Sequence, residues 1–94
     1  MHFPQWVDRE RDRRKRARLR LKHMLSLATL NKYGRTSIHD LARDVGCNHS
    51  SIFNAINRGS FTPAMALGIE RVLTREAVRH EWLEDPLDLE VSAT

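Results

Sequence analysis

Cysteine occurs once in this chain of 94 residues, at Cys47, which excludes an internal disulfide. Without a second thiol or a regularly spaced set of histidines, Cys47 also makes a poor zinc site, so neither a metal nor a cofactor is expected. The four glycines and three prolines form no flexible linker, and no internal repeat is present. No apolar run approaches the ~20 residues needed to cross a bilayer. Met1 to Val7 has neither the basic start nor the apolar stretch of a secretion signal. A cytoplasmic location away from the membrane is therefore expected. A chain this short suits one domain with one modest core and flexible ends.

What the sequence has in excess is arginine, and on one side only. Residues 1–35 hold eleven basic and three acidic side chains, a net of +8, and the remainder holds five basic and nine acidic, a net of −4. This asymmetry favours an anionic polymer as partner, with nucleic acid ahead of a membrane surface. Between Asp8 and Lys22 nine bases meet three acids, too lopsided for internal ion pairs to neutralise. The run reads either as phosphate contacts, with Arg13, Arg16 and Arg20 as candidates, or as a solvated helix face.

Helix starts and stops predict an all-α fold, a compact domain of four to five helices with a long basic N-terminal helix. That first helix is expected from Pro4 to Tyr33, closed by Gly34, with Glu10/Arg14 and Asp12/Arg16 as i,i+4 pairs. From Asp8 to Arg20 it is charged on every face. An apolar face begins only at Leu21 and continues through Met24, Leu25 and Ala28. The expected division is a basic helix or arm over 1–20, a DNA-binding domain over 21–83, and an acidic tail over 84–94.

Ser37 to Asp40 has the spacing of a capping box, and Ile38, Leu41, Ala42 and Val45 give a short helix one buried stripe. Gly46 ends it. Asn48 is a good N-cap for a helix from His49 to Arg58, with Ile52, Ala55 and Ile56 inward, and Gly59 closes it. Thr62-Pro63 starts a further helix carrying Ala66, Leu67, Ile69, Val72 and Leu73. Val78, Trp82 and Leu83 are able to fold back on the core before Pro86 breaks regular structure.

Two short helices about a glycine turn suggest a helix-turn-helix, in which a small residue lets the second helix pack across the first. Ala42 and Gly46 suit those roles, and Cys47 falls where the turn plugs the core. Left outward on the second helix are His49, Ser50, Phe53 and Asn54, types able to hydrogen-bond base edges or press on a thymine methyl. Ser37, Asn48, Ser51, Asn57 and Arg58 flank them as phosphate contacts. Two blander roles stay open: His49 as a surface histidine, and Phe53 as a core or dimer-contact residue. Ser50, Ser51, His39, His49 and Asp40 contain the ingredients of a hydrolytic triad. They are crowded on two short helices without an oxyanion site, and no enzymatic activity is expected.

The stretch Leu41-Ala42-Arg43-Asp44-Val45-Gly46-Cys47-Asn48-His49-Ser50-Ser51-Ile52 resembles the LAxxxGVSxxxV signature of the lambda-repressor-like helix-turn-helix proteins of the Cro and repressor type. Asn57-Arg58-Gly59-Ser60-Phe61-Thr62-Pro63-Ala64-Met65-Ala66-Leu67-Gly68-Ile69-Glu70 is similar to that family's continuation. Val78-Arg79-His80-Glu81-Trp82-Leu83 resembles a C-terminal motif of the Cro-like YdaS group of phage and prophage regulators. Thr62 to Leu67 is also similar to HigA-type antitoxins. The resemblance implies a bacterial or phage-encoded regulator that binds double-stranded DNA as a homodimer on a two-part operator. The family often has Gln at the position of His49 and a bulky residue at that of Ala55, and the arginine-rich start lies outside its pattern. Two alternatives from other classes stand beside it. One is an RNA-binding protein acting through the arginine-rich helix. The other is an antitoxin holding a partner protein through the acidic C-terminal segment.

Overall fold

The computed structural model describes residues 3–87, and among these all regular structure is helical. The helices are α1 (Gln5–Asp8), α2 (Arg13–Tyr33), α3 (Ile38–Val45), α4 (His49–Arg58), α5 (Pro63–Leu73) and α6 (His80–Glu84). The all-α class holds, with one helix more than the four or five expected.

The extra helix arises because the first one is not continuous. Asp12 sits in an extended conformation and its carboxylate accepts the Lys15 amide hydrogen at 2.9 Å. That bond holds the Asp12 carboxyl below its ordinary range. Glu10 likewise accepts the Asp12 amide hydrogen at 3.3 Å. These acids cap a helix start instead of pairing with Arg14 and Arg16. A first-turn amide has no other protein partner, whereas an exposed ion pair gains little. Pro4 lies one position earlier than expected, as the N-cap of α1. The short α1 folds back beside α2, burying Val7 and bringing the Phe3 ring edge-on to His23 at 5.5 Å between centroids.

The core joins Leu21, Leu25, Leu41, Ile52, Ile69 and Leu83, all fully buried and drawn from α2 through α6. Burial extends further towards the N-terminus than the sequence suggested, to Ala17 and Arg20. The long stem of Arg20 lies inside while its Nη1 donates to the Pro86 carbonyl at 3.0 Å, and its guanidinium sits 5.1 Å over the Phe3 ring. The boundary drawn at residue 20 thus falls inside a packed helix. Just past residue 84, where the acidic tail is expected to begin, Pro86 is fully buried. Residues 88–94 of the expected tail lie outside the described residues.

The starts of α3, α4 and α5 are set by local side-chain bonds. Ser37 Oγ accepts the Asp40 amide, Asn48 Oδ1 accepts the Ser50 amide, and Thr62 Oγ1 accepts the Met65 amide. The Tyr33 hydroxyl donates to Asp44 at 2.7 Å and ties the end of α2 to α3. Burial, then that hydrogen bond, pushes the phenol up to about 12. At Gly68, a Cβ would stand 3.3 Å from Val45 Cγ1, so the missing side chain lets α5 cross α3 closely.

The turn between α3 and α4 rests on Gly46, whose φ of 88° is left-handed and whose amide donates to the Ala42 carbonyl at 2.9 Å. A Cβ there would meet nothing within 4 Å, so the cost of a side chain is conformational alone. Gly46→Val is expected to lower stability by about 1–2 kcal/mol, the penalty of left-handed backbone for an L-residue. Thermal unfolding checks this, and an unchanged midpoint would mean that the turn does not require glycine.

Candidate nucleic-acid interface

Helix α4 has two faces of opposite character. Ile52, Ala55 and Ile56 are sealed in the core, while His49, Ser50, Phe53, Asn54, Asn57 and Arg58 are exposed. This follows from the 3.6-residue period, since residues 52, 55 and 56 share one side. The four candidate base-contacting side chains therefore lie on the open side of one helix. Of the flanking candidates, Asn48 is exposed, and Ser37 and Ser51 are half-buried. Ser50 donates its hydroxyl to Asn48 Oδ1 at 3.0 Å, and Arg58 Nη2 donates to the Ser60 carbonyl at 3.3 Å.

Ser37 does not complete a reciprocal capping box. Its amide donates to Thr29 Oγ1 at 3.3 Å, and the Asp40 carboxylate turns to Arg35 at 2.9 Å and Arg43 at 3.2 Å. The Arg35 contact leads in holding the Asp40 carboxyl below its usual range. With Asp40 paired to arginines and Ser50 bonded to Asn48, the ingredients of a hydrolytic triad have other partners. Cys47 is half-buried, and burial pushes its thiol up, away from thiolate chemistry.

The sequence left His39 without a binding role. Its ring lies 4.1 Å from that of His49, tilted by 32°, and Phe53 stands edge-on to both at 6.4 and 6.2 Å. This cluster spans α3 and α4 and limits the orientations open to His49. No local period links residues 39 and 49. Only the crossing of the two helices brings them together.

The arginine-rich helix is divided between two sides. Arg14 Nε donates to the Asn57 carbonyl at 3.3 Å, and Lys22 lines a groove with Phe53 and Ile56. Arg18, four residues from each, belongs to the same helical row. Arg14, Arg18 and Lys22 thus run along α4. Arg13, Arg16 and Arg20 form a different row, in which Arg20 meets Phe3 and Pro86. Arg13 is exposed and Arg16 half-buried, but Arg20 is buried and bonded to Pro86, so it is withdrawn as a phosphate contact. Residues 14 and 18 continue the spacing of the buried Leu21 and Leu25, which sets them on the side of α2 that faces the core helices.

Among the described residues, the donor atoms of Glu70, His80 and Glu81 lie within 4.8 Å of one another, a grouping found in metal sites. Here Arg75 stands 3.4 Å from both carboxylates, and Glu70 accepts the His80 amide hydrogen at 2.6 Å. The group acts as a clamp between α5 and α6, and the His80 amide is the main reason the Glu70 carboxyl sits below its usual range.

No family model matches the chain, and neither the curated proteins nor the solved structures yield a match.

Proposed function

We propose that this protein binds double-stranded DNA sequence-specifically, as a transcriptional regulator of the lambda-repressor-like helix-turn-helix kind, with α4 in the major groove. The observation that carries the reading is the exposed polar face of α4 lying beside the basic row of α2, joined by the Arg14–Asn57 bond. His49 and Asn54 bond base edges, Ser50 reaches a base or phosphate, and Phe53 presses on a thymine methyl. Ser37, Asn48, Ser51, Asn57 and Arg58 approach phosphates, and Arg14, Arg18 and Lys22 hold the adjoining strand.

The packing of α2 favours DNA over RNA as the partner. An arginine helix that enters an RNA groove needs access around its circumference, and here Ala17 and Arg20 are buried. The acids of the C-terminal segment give the antitoxin reading little support, because Glu81 and Glu84 face His80, and Arg75 bridges Glu70 and Glu81. Among the described residues no helix is long and apolar enough to cross a membrane, and a regulator of this kind works in the cytoplasm on the nucleoid.

A mobility shift at physiological salt with duplex DNA and a structured RNA tests the function. Binding of the duplex supports it, and binding of the RNA alone contradicts it.

The reading also requires a dimer, since one such helix covers only about half of a usual operator. Val78 and Leu83 are used inside the core and cannot supply the contact. Trp6, Leu27 and Leu30 remain exposed, and Leu27 and Leu30 continue the α2 row that Phe3 covers at His23. Leu27→Glu with Leu30→Glu is expected to leave the fold intact and lose the two-to-one complex in sedimentation on a selected duplex. A double variant that still forms that complex would place the contact elsewhere.

A further inference from the structure

We propose that the groove between α2, the loop leading into α3, and α4 is an effector site for a small aromatic monoanion. Its regulatory part rests on the DNA-binding reading above, while ligand binding itself does not. The cavity measures about 380 Å³, within the usual range for small-molecule sites. Its apolar lining is Leu25, Ile38, Ile56 and the ring of Phe53, and its polar rim is Lys22, Ser26, Thr36, Ser37 and His39.

The lining sets the ligand's chemistry. Apolar side chains beneath hydroxyls suit a flat ring with one polar edge. Lys22 brings a positive charge and no carboxylate belongs to the lining, so that edge is anionic. The neighbouring Asp40 is already held by Arg35 and Arg43. A dication or a cationic amine finds no counter-charge here.

The site's position makes it regulatory. Phe53 is at once a wall of the cavity and part of the outward face of α4, and His39 lines the cavity while stacking on His49. A ring wedged against Phe53 and His39 displaces the two side chains that shape the recognition face. It also draws on Lys22, which belongs to the basic row beside α4. Ligand and DNA therefore compete for the same groups, and occupancy weakens duplex binding.

The probes are anilinonaphthalene sulfonate and its uncharged parent, phenylnaphthylamine, titrated by fluorescence into the whole chain without DNA. The expected result is one site per chain with the sulfonate bound more tightly. Lys22→Gln should weaken the sulfonate by about fivefold, the size of one partly exposed charge contact, and leave the neutral dye unchanged. Ser26→Trp should fill the cavity and abolish both. Thr36→Trp, on the loop, gives the same readout should Ser26→Trp fail to fold. Equal affinity for the two dyes, no effect of Lys22→Gln, or full binding by the filled variants would overturn the site. In a separate arm, saturating sulfonate should release a bound duplex from the wild-type chain. Retention of the duplex would overturn regulation, and a chain that binds dye but never any duplex would instead overturn the DNA reading.

Discussion

Replacing Arg14, Arg18 and Lys22 together with glutamine is expected to flatten the plot of log affinity against log salt by about 2.7, that is, about 0.9 for each phosphate that goes unneutralised. The three belong to the row of α2 that runs along α4, where Arg14 reaches the Asn57 carbonyl and Lys22 lines a groove with Phe53. A control variant, Arg13→Gln with Arg16→Gln, alters the other row of α2 and should change the slope by less than about 1. Site preference should survive in both, because phosphate contacts carry no base information. If the two variants flatten the slope equally per residue, the basic helix acts as a diffuse field with no favoured row. Substitution is the right tool here, because deleting residues 1–18 would also remove Val7 and Ala17 from the packed interior.

The second large effect is on base recognition. Asn54→Ala and His49→Ala should each weaken binding to the preferred duplex by about 1–3 kcal/mol, and leave binding to random duplex nearly unchanged. The basis is their exposure on a helix whose other side is Ile52, Ala55 and Ile56. His39→Ala should produce a smaller loss on the same site. Combined with His49→Ala it should add almost nothing, because His39 acts by holding the His49 ring. Equal losses on preferred and random duplexes would remove His49 and Asn54 from base contact.

How far the sequence predicted these features depended on the distance over which each interaction is made. The caps at Ser37, Asn48 and Thr62, and the left-handed closures at Gly34, Gly46 and Gly59, were legible because each is decided within about one helical turn. The inward face of α4 was legible from its period. The break at Asp12 was misread because the same aspartate satisfies two local patterns, an i,i+4 pair and an N-cap. The buried Arg20 was missed for a different reason. Its partners, Phe3 and Pro86, come from opposite ends of the chain, and nothing local distinguishes it from the arginines around it. The same limit hid the His39–His49 contact.

Sequence-specific recognition by α4 is tested most directly by comparing one duplex with another. A duplex selected from random sequence by the whole chain, titrated beside a scrambled duplex of equal length at physiological salt, should bind at least ~10³-fold more tightly, the lower end for specific DNA-binding proteins. That ratio should fall with Asn54→Ala and hold with Arg14→Gln. Equal affinity for the selected and scrambled duplexes, in the wild-type chain, would contradict sequence-specific recognition by α4.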